Sequence, residues 1–503
     1  MAILDITTVP LYFSFCALSF FLLLSNVIYN LYFHPLRHYP GPSLWAASSL
    51  PYTFSFASGR SVSHISALHD KYGHIVRVGP NRLSYTHPDA WRDIRGHRKS
   101  GQGENGKEVD GFFFFSRHSM LAANREDHSR ARRALAHAFS AKAMQAQQDL
   151  IVGYVDLFIT RLMELVSDKH DGNGTTVDVV KWFNWTTFDI IGDLSFGAPF
   201  DCLQTSSYHP WVTTVFNSIT QFGYLMAVQR HAPMLVTTLR TVTGLGKPQQ
   251  EQAKYAEELI KKRLELTTSR SDFVDALTTA KTEEGVTLTK TEIVQNMRLL
   301  VLAGSETTAT ALSATTYFIV THPDVRRNLA RELYGCFNNE SEMNLFSVQR
   351  LRYMLAVIEE SLRCFPPVPA GHPRVMQRGG DMICGRFVPE GTSLDIWPWA
   401  MNHSSKNFTS PNEFIPDRWL ETDKNGRFAN DRRDASQPFS VGPRNCIGKN
   451  LAYAELQLIL ARLLYNFDIS LPDQNDDTKQ WLTGMKSYNL WIKPPLNITL
   501  SPT

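Results

Sequence analysis

The chain has little cysteine and almost no excess of charge. Its 503 residues include only six cysteines, and no two of them form a Cys-x-x-Cys pair. This scarcity argues against a disulfide scaffold and against a cysteine-based zinc site, and it is typical of a protein kept in a reducing compartment. The 51 basic residues nearly match the 48 acidic ones, so the net charge gives no reason to expect a nucleic-acid partner.

The N-terminal segment lacks charge altogether. No charged side chain lies between Ile6 and Phe33, and a membrane-spanning helix needs about 20 mainly apolar residues. A cleaved signal peptide is the alternative, but it would begin with basic residues and have a shorter apolar region, whereas the only early charge is Asp5. We therefore expect residues 1–33 to form an uncleaved membrane anchor.

Residues 34–42 are rich in proline. Because Pro fixes φ and cannot continue a helix, they predict a stiff, non-helical stem that leads into a body at residues 43–503. Arg37 flanks the apolar segment, and the positive-inside rule leaves the body in the cytosol. The six Asn-x-Ser/Thr sequons should then stay unmodified. They begin at Asn173, Asn184, Asn339, Asn402, Asn407 and Asn497.

The body is α-rich in pattern, with small sheets. Residues 125–365 are mostly helical in pattern, whereas strand-like runs lie near residues 75–78, 82–85 and 382–395. A Pro-x-Gly turn that begins at Pro389 predicts a hairpin within the last run. Polar residues 421–437 predict an exposed loop.

One predicted helix carries a single charge near its centre. Thr289 and Glu292 form a capping-box pattern, and apolar residues follow at helical spacing towards Thr321. Glu306 is the only Asp, Glu, Lys or Arg in residues 299–323. A second membrane span is the alternative, but the threonines that follow Glu306 make a poor lipid face. Because a buried charge is costly without a partner, we prefer a functional role for Glu306 over a structural ion pair.

The most informative stretch is residues 439–448, Phe-Ser-Val-Gly-Pro-Arg-Asn-Cys-Ile-Gly. Its glycines allow the backbone to approach a flat ligand closely, and a helix is predicted at residues 449–465. Arg444 and the N-terminus of that helix both favour a thiolate at Cys446, which is the form that binds a haem iron in oxygen-activating enzymes. A buried small hydrophobe is the alternative for a lone cysteine, but these neighbours favour the ligand.

Four motifs in order resemble those of the cytochrome P450 family. They are the haem-binding signature at residues 439–448, an oxygen-activation motif at 303–308, a Glu-x-x-Arg motif at 360–363 and a Pro-Glu-Arg-Phe-like motif at 414–419, with Asp417 and Trp419 as departures. The resemblance covers nearly the whole chain after the anchor. It implies one large α-rich domain with small β-sheets, where length alone would suggest about three domains. It also implies haem b, with Cys446 as the axial thiolate ligand among Phe439, Arg444 and Gly448.

The resemblance implies roles for further residues around the haem. Ala303 and Gly304 lack side-chain bulk and leave room over the haem face. Thr307 would hydrogen-bond to oxygen while Glu306 relays protons from another side. The alternative for Thr307 is a hydrogen bond to a helix carbonyl.

Basic residues and an ion-paired lock complete the implied site. Arg132 matches the propionate-binding arginine of the family, and His128 stands where a Trp is usual. Arg374 belongs to the second propionate-binding stretch. Glu360, Arg363 and Arg418 would form a separate, buried ion-paired group. We call this group the lock, and it would serve the structure and take no part in catalysis. Phe112–Phe115 and the apolar segment Trp211–Leu239 are the candidates for the pocket wall and for a lid against the membrane.

The activity implied by the resemblance is a haem-thiolate monooxygenase. It would insert one oxygen atom from O2 into a lipophilic small molecule. A Rossmann or flavin segment is missing, so the electrons would come from NADPH through a separate cytochrome P450 reductase at the endoplasmic reticulum. Local similarity to fungal secondary-metabolism members, for example at residues 29–42 and 122–140, implies a terpenoid or polyketide substrate. A haem-thiolate isomerase or dehydratase and a non-catalytic haem- or lipid-binding membrane protein are the alternatives, and the intact Ala-Gly-x-Glu-Thr motif argues against both.

Overall fold

The computed structural model is mainly helical. It describes residues 8–98, 102–109, 118–168, 174–232, 234, 236, 238, 247–265, 270, 272–275, 288–421, 423, 425–472 and 480–503. The α-helices are α1 (Thr8–Ile28), α2 (Ser43–Ala47), α3 (Leu50–Ala57), α4 (Ser61–Tyr72), α5 (Arg125–Ala136), α6 (Ala141–Ser167), α7 (Val179–Phe196), α8 (Cys202–Thr205), α9 (Pro210–His231), α10 (Lys247–Glu265), α11 (Lys290–Thr321), α12 (Pro323–Cys336), α13 (Arg352–Cys364), α14 (Pro398–Asn402) and α15 (Lys449–Asn466).

The strands are short and form small sheets beside the helices. They are β1 (Ile75–Gly79), β2 (Arg82–Tyr85), β3 (Gly106–Lys107), β4 (Thr175–Asp178), β5 (Arg374–Val375), β6 (Asp381–Ile383), β7 (Arg386–Val388), β8 (Ser393–Ile396), β9 (Phe467–Ser470), β10 (Ser487–Tyr488), β11 (Leu490–Trp491) and β12 (Asn497–Pro502). One sheet has the order β1-β2-β8-β5-β3, another has the order β4-β12-β9, and β6-β7 and β10-β11 are two-stranded. The predicted α-rich fold with small sheets is confirmed.

The predicted hairpin is misplaced along the chain. Strands β6 and β7 pair antiparallel, and their turn consists of Cys384 and Gly385, both with positive φ. The Cys384 N–H donates to Asp93 Oδ2 at 2.9 Å, which supports this unusual turn. A turn does follow Pro389, but it leads to β8, which pairs with β2 and β5. The Pro-x-Gly sequence therefore marks a passage between two sheets.

The central helix α11 confirms the capping-box prediction. The Glu292 N–H donates to Thr289 Oγ1, and the Thr289 N–H donates to Glu292 Oε2. The helix runs to Thr321 and is buried along most of its length against α7, α13 and α15. It is therefore a core helix, and the alternative of a second membrane span is wrong. This placement packs α11 against α15, the helix that follows Cys446.

The N-terminal helix stands apart from the core, whereas the stem belongs to it. Ser14–Phe33 is long and apolar enough to cross a membrane, and little of it is buried. Residues 34–42 are not free of helix as predicted, because Pro35–His38 form a 3-10 turn. Pro at the first helical position has the φ that such a turn needs. Leu36 is fully buried with the side chains of β2 and β8, so the stem packs as part of the body.

Three asparagines of the sequons are buried inside the body. Asn184, Asn402 and Asn407 are each at most 3% exposed. The Asn407 amide nitrogen donates to two carbonyls, those of Thr86 and Met401, both at 2.9 Å. The Asn402 amide nitrogen donates to the carbonyl of Arg363 at 3.0 Å. These side chains are structural hydrogen-bond donors, while Asn173 lies outside the described residues.

Candidate active site

Helix α11 packs against α15, and we give the name recess to the region between α11 and the loop that precedes α15. Ala303 is exposed, although Val301 and Ser305, two positions away on either side along α11, are buried. Cys446 is likewise exposed, yet burial raises the pKa of its thiol. The two observations agree if the Cys446 sulfur faces an internal space that protein atoms surround but do not fill. Ala303 and Cys446, the residues predicted for opposite faces of a haem, are therefore both exposed, as a ligand between them would require.

The loop that carries Cys446 is held in shape by its own backbone. The Cys446 N–H donates to the carbonyl of Phe439 at 2.8 Å. Gly442 has φ of +78°, and a Cβ at this position would collide with the carbonyl oxygen of Arg95, so only glycine fits. Gly448 is different, because a Cβ there would meet only the Phe139 ring, at 3.7 Å. The need for glycine at residue 442 is thus steric, whereas residue 448 tolerates a side chain in this structure.

The cation beside the thiol is not the one expected. Burial raises the pKa of Cys446, and the Gly448 N–H, Arg132 and Lys449 oppose this rise. Arg444 points elsewhere: its Nε donates to Glu104 Oε1 at 2.5 Å and its Nη1 donates to the Ala123 carbonyl at 2.8 Å. The expectation that Arg444 favours the thiolate is therefore wrong. Because a metal ligand must lose its proton on binding, ionisation of Cys446 would accompany binding of iron.

A cluster of buried cations lies beside the loop that carries Cys446, since Arg95 Nη1 donates to Ser440 Oγ in that loop at 3.2 Å. Arg374 is only 3% exposed, and burial together with Arg95 and Arg444 lowers its pKa to about 9. Burial also lowers the pKa of Arg95 to about 10. Glu104 forms ion pairs with Arg444 and Arg374. Burial alone would raise the pKa of Glu104, but the two arginines outweigh burial and hold this pKa below its usual range. Glu104, together with Asp395 near Arg95, balances only part of the charge of these three arginines.

Unused donors in this cation cluster fit an anionic group. The Nε atoms of Arg95 and Arg374 are buried without a hydrogen-bond partner. Buried polar groups are almost always hydrogen-bonded in native proteins, and buried charges are paired. The two carboxylates of a haem would supply acceptors and negative charge at this place. The residues present therefore fit the group that the sequence implies.

Helix α5 supplies the remaining predicted contacts. Arg132 donates to both the carbonyl oxygen and Oδ1 of Asn445, at 2.6 and 2.5 Å, so it fixes the residue that precedes Cys446. His128 is buried, and burial lowers its pKa to about 4 with help from Arg444 and Arg132. Its imidazole is therefore neutral at pH 7. The propionate contacts predicted for Arg132 and His128 stay predictions.

The small residues of α11 have different neighbours. Ala303 is exposed, and its predicted place over the haem face stays a prediction. Gly304 instead packs against α7, since a Cβ there would approach Ile191 Cδ1 to 2.8 Å. The structure thus gives Gly304 a role in helix packing, in place of clearance over a haem. Thr307 Oγ1 donates to the Ala303 carbonyl at 2.5 Å, which is the back-bonded alternative; its side chain is only half-buried.

Glu306 is paired across the core. Its side chain is 2% exposed, and its Oε1 contacts Lys493 Nζ, which comes from the segment after β11. Lys493 Nζ also donates to Thr310 Oγ1 at 2.9 Å. Burial raises the pKa of Glu306, and Lys493 and Thr310 partly offset this rise. The structural ion pair, the less favoured explanation from the sequence, is therefore present.

The predicted lock forms as expected. Glu360 accepts hydrogen bonds from Arg363 Nε and Nη2, at 2.9 and 2.8 Å, and from Arg418 Nε at 2.9 Å. All three side chains are fully buried. The departure at Trp419 has a physical reason, because its indole N–H donates to Glu360 Oε2 at 2.9 Å. This group joins α13 to the loop that leads to Cys446.

The predicted substrate wall is only partly described. Phe112–Phe115 lie outside the described residues. Within the apolar segment 211–239, helix α9 buries Trp211 and Met226, while Tyr224 and Met234 are exposed. On α3, Leu50 and Phe54 are also exposed, and Thr53 on this helix hydrogen-bonds to His231 at the end of α9. An apolar surface therefore joins α3 and α9.

Three residues of the site gave no signal in the sequence. Arg95 and Lys493 stand in ordinary surroundings and reach the site only through tertiary contacts. Asn445 lies inside the signature but at one of its variable positions. The unbalanced charge of Glu306 was the only clue that a distant cation would be needed.

Comparison with known proteins places this geometry in a family. The family model described as cytochrome P450 matches residues 40–497. A trichothecene C-15 hydroxylase of Fusarium sporotrichioides is 44% identical over 480 residues, which is 95% of each chain. An averantin hydroxylase of Dothistroma septosporum is 41% identical over 95% of this chain and 89% of its own. A cytochrome P450 monooxygenase of Aspergillus oryzae is 43% identical over 95% of this chain and 94% of its own. With the recess, its cysteine and its buried cations, these matches show that this chain belongs to the cytochrome P450 family of haem-thiolate monooxygenases.

Proposed function

We propose that this protein is a membrane-anchored hydroxylase of a lipophilic terpenoid or polyketide intermediate, with electrons from NADPH through a separate reductase. The observation that carries this proposal is the loop of Cys446, whose exposed thiol lies in the same region as the buried, unpartnered Nε atoms of Arg95 and Arg374. Two of the relatives are named as hydroxylases of a trichothecene and of averantin. These names support an apolar polycyclic substrate. The apolar surface of α3 and α9 supports entry of that substrate from the bilayer.

The protein would contribute an iron ligand and two buried arginines to haem binding. Cys446 Sγ would bind the iron from the side of α15, while Arg95 and Arg374 would bind the propionates through their free Nε–H groups. Arg132 would keep Asn445, and with it the ligand loop, in position. When bound, the haem supplies the activation of O2 that places one oxygen atom on the substrate.

Thr307 and Glu306 would hold and deliver protons on the side of the recess opposite Cys446. Thr307 Oγ1 can leave the Ala303 carbonyl by rotation about χ1 and then hold its proton in the recess. Glu306 lies about 100° further round the helix and can bring protons from the interior of the protein.

The N-terminal anchor and the surface near Cys446 fit a reductase that is also bound to the membrane. Ser14–Phe33 would span the endoplasmic reticulum membrane and leave the body in the cytosol. The reductase would approach the surface nearest to Cys446, where Arg133 and Lys449 are exposed and would attract an acidic partner.

The decisive experiment is reconstitution with the purified reductase. We expect a red-shifted Soret band in the reduced carbon monoxide complex, and turnover of the metabolite that accumulates in a deletion strain only when NADPH, reductase and O2 are all present. Cys446→Ala should lose the band, whereas Cys384→Ala, a half-buried thiol outside the recess, should retain it. Turnover without NADPH would instead favour an isomerase or dehydratase.

A further inference from the structure

Glu306 and Lys493 form a closed buried group within the core. Lys493 is 187 positions away in the chain, yet its Nζ contacts Glu306 Oε1. The same Nζ donates to Thr310 Oγ1 at 2.9 Å, and Thr310 Oγ1 donates in turn to the Glu306 carbonyl at 2.7 Å. The side chains of Lys493 and Glu306 are 3% and 2% exposed. Lys493 therefore holds both the side chain and the backbone of the residue that precedes Thr307.

The two oxygens of the Glu306 carboxylate are not equivalent. Oε1 is fixed by Lys493, whereas Oε2 is buried without a hydrogen-bond partner. An unpartnered buried oxygen is costly, so its presence suggests a function. Because Oε1 is occupied by an ammonium group, Oε2 is the atom that can take up and release a proton.

We infer that Lys493 is a positioning residue for proton transfer: it fixes Glu306 through Oε1 and leaves Oε2 free to carry the proton. This inference deepens the proposed function and rests on it. Without Lys493, release of the proton would leave an unpaired charge in the core, which is strongly unfavourable. The carboxyl would then retain its proton, and delivery towards Thr307 would slow.

Few other groups face this carboxyl. Tyr208, from the segment before α9, lies within electrostatic range of Glu306 and is kept neutral because burial raises its pKa. Its hydroxyl accepts from Asn184 of α7 at 3.1 Å, and Asp178 lies close enough to raise the pKa of the same phenol. In the described part of the chain, Lys493 is the cation in contact with Glu306. Its removal should therefore raise the pKa of the carboxyl further.

The first test needs no turnover. Infrared spectra of the resting haem protein at neutral pH should show a protonated carboxyl band in Lys493→Met that is weaker or absent in the natural chain. The band should disappear in the double variant Glu306→Gln with Lys493→Met, and Lys493→Arg should restore the natural spectrum. If Lys493→Met gives no such band at any pH where the protein is folded, Lys493 does not set the charge of Glu306 and the inference is wrong.

The second test follows protons during O2 reduction without added substrate. With NADPH and reductase, O2 + NADPH + H+ gives H2O2 + NADP+, whereas O2 + 2 NADPH + 2 H+ gives 2 H2O + 2 NADP+. We expect Lys493→Met to raise the ratio of H2O2 to NADPH as Glu306→Gln does, and to slow the formation of water in this substrate-free reaction by about 100-fold, the scale of a lost proton-transfer group. The double variant should be no worse than Glu306→Gln alone, and Lys493→Arg should recover most of the coupling.

The controls separate the possible failures. Lys181→Met removes an exposed lysine whose ion pair with Asp178 is at 3.8 Å, and it should change neither readout. If Lys493→Met fails to fold, Lys493→Gln replaces it in both tests, because its amide can still donate a hydrogen bond to Glu306 while the ammonium charge is removed. Natural coupling in a folded Lys493→Met protein would overturn the inference. Lack of any reductase-dependent NADPH oxidation in the natural chain would contradict the proposed function while leaving the infrared test intact.

Discussion

Replacement of Glu360 by Gln should cost more stability than any single surface change. The two carboxylate oxygens accept five hydrogen bonds, from Arg363 Nε and Nη2, Arg418 Nε, Trp419 Nε1 and the Ile415 N–H, all at 2.8–2.9 Å. An amide in place of Oε2 would leave Arg363 Nε and Trp419 Nε1 without an acceptor. It would also remove the charge between two fully buried guanidinium groups.

The magnitude follows from that geometry. Removal of one partner from a buried ion pair costs about 3–5 kcal/mol, and two unsatisfied donors at about 1–3 kcal/mol each give a similar figure. We therefore expect Glu360→Gln to lower the free energy of unfolding of the haem protein by about 3–5 kcal/mol. Trp419→Phe removes one donor and leaves the charge, so its cost should be about 1 kcal/mol.

The assay is urea unfolding followed by the carbon monoxide difference band. Glu413→Gln is the matched control, because Glu413 and Arg427 form a pair at 3.5 Å whose side chains are 63% and 57% exposed. Such a pair contributes less than about 1 kcal/mol. If Glu360→Gln lowers the urea midpoint no more than Glu413→Gln, the reasoning about buried charge is wrong.

The difference in the free energy of unfolding between the natural chain and Glu360→Gln should change with pH in a definite direction. Burial raises the pKa of Glu360, but its contacts with Arg363 and Arg418 outweigh burial and hold the pKa below the usual range. A carboxyl with a lowered folded-state pKa stabilises the protein above its unfolded-state pKa, and this stabilisation is lost as the pH falls through the folded-state pKa. The gap between the natural chain and Glu360→Gln should therefore be constant above about pH 5 and close only in acid.

Three further predictions concern the recess and the anchor. Arg374→Leu and Arg132→Leu should lower haem occupancy, measured as haem per protein, whereas Arg133→Leu, an exposed neighbour on α5, should keep it. Thr307→Ala should retain haem and the spectral shift on substrate binding, but NADPH consumption should yield peroxide at the expense of product; tight coupling would show that another group holds the proton. Removal of residues 1–33 should release the protein from membranes in high salt with its carbon monoxide spectrum intact, and loss of the spectrum would mean that the domain begins earlier.

Local patterns were sufficient for the elements that carry the site. The capping box at Thr289 and the Glu-x-x-Arg pair are short-range arrangements, so their residues could be read directly and the structure confirms them. The start of α15 after Cys446 was predicted for the same reason. The hairpin failed because Cys384 and Gly385 adopt positive φ with the help of Asp93, a contact that no local pattern contains.

Long-range partners could not be predicted. A buried Glu306 demands a cation, but the sequence gives no means to choose Lys493 from 51 basic residues. Similarly, Arg444 seemed suited to the thiol because it is two positions away, whereas the loop directs it to Glu104. Proximity in sequence is a poor guide to which charges meet when the chain reverses between them.

The buried sequons bear on the compartment in which this chain can fold. An oligosaccharide on Asn407 would occupy the nitrogen that donates to Thr86 and Met401, and it would have to fit where the side chain is 2% exposed. Asn402 poses the same obstacle. A chain inserted with its body in the lumen would offer both asparagines to glycosyltransferases before folding, and each attached sugar would then prevent burial. If the body were in the lumen, glycosylation of either asparagine would therefore keep this part of the core from closing, whereas a body in the cytosol would avoid that conflict.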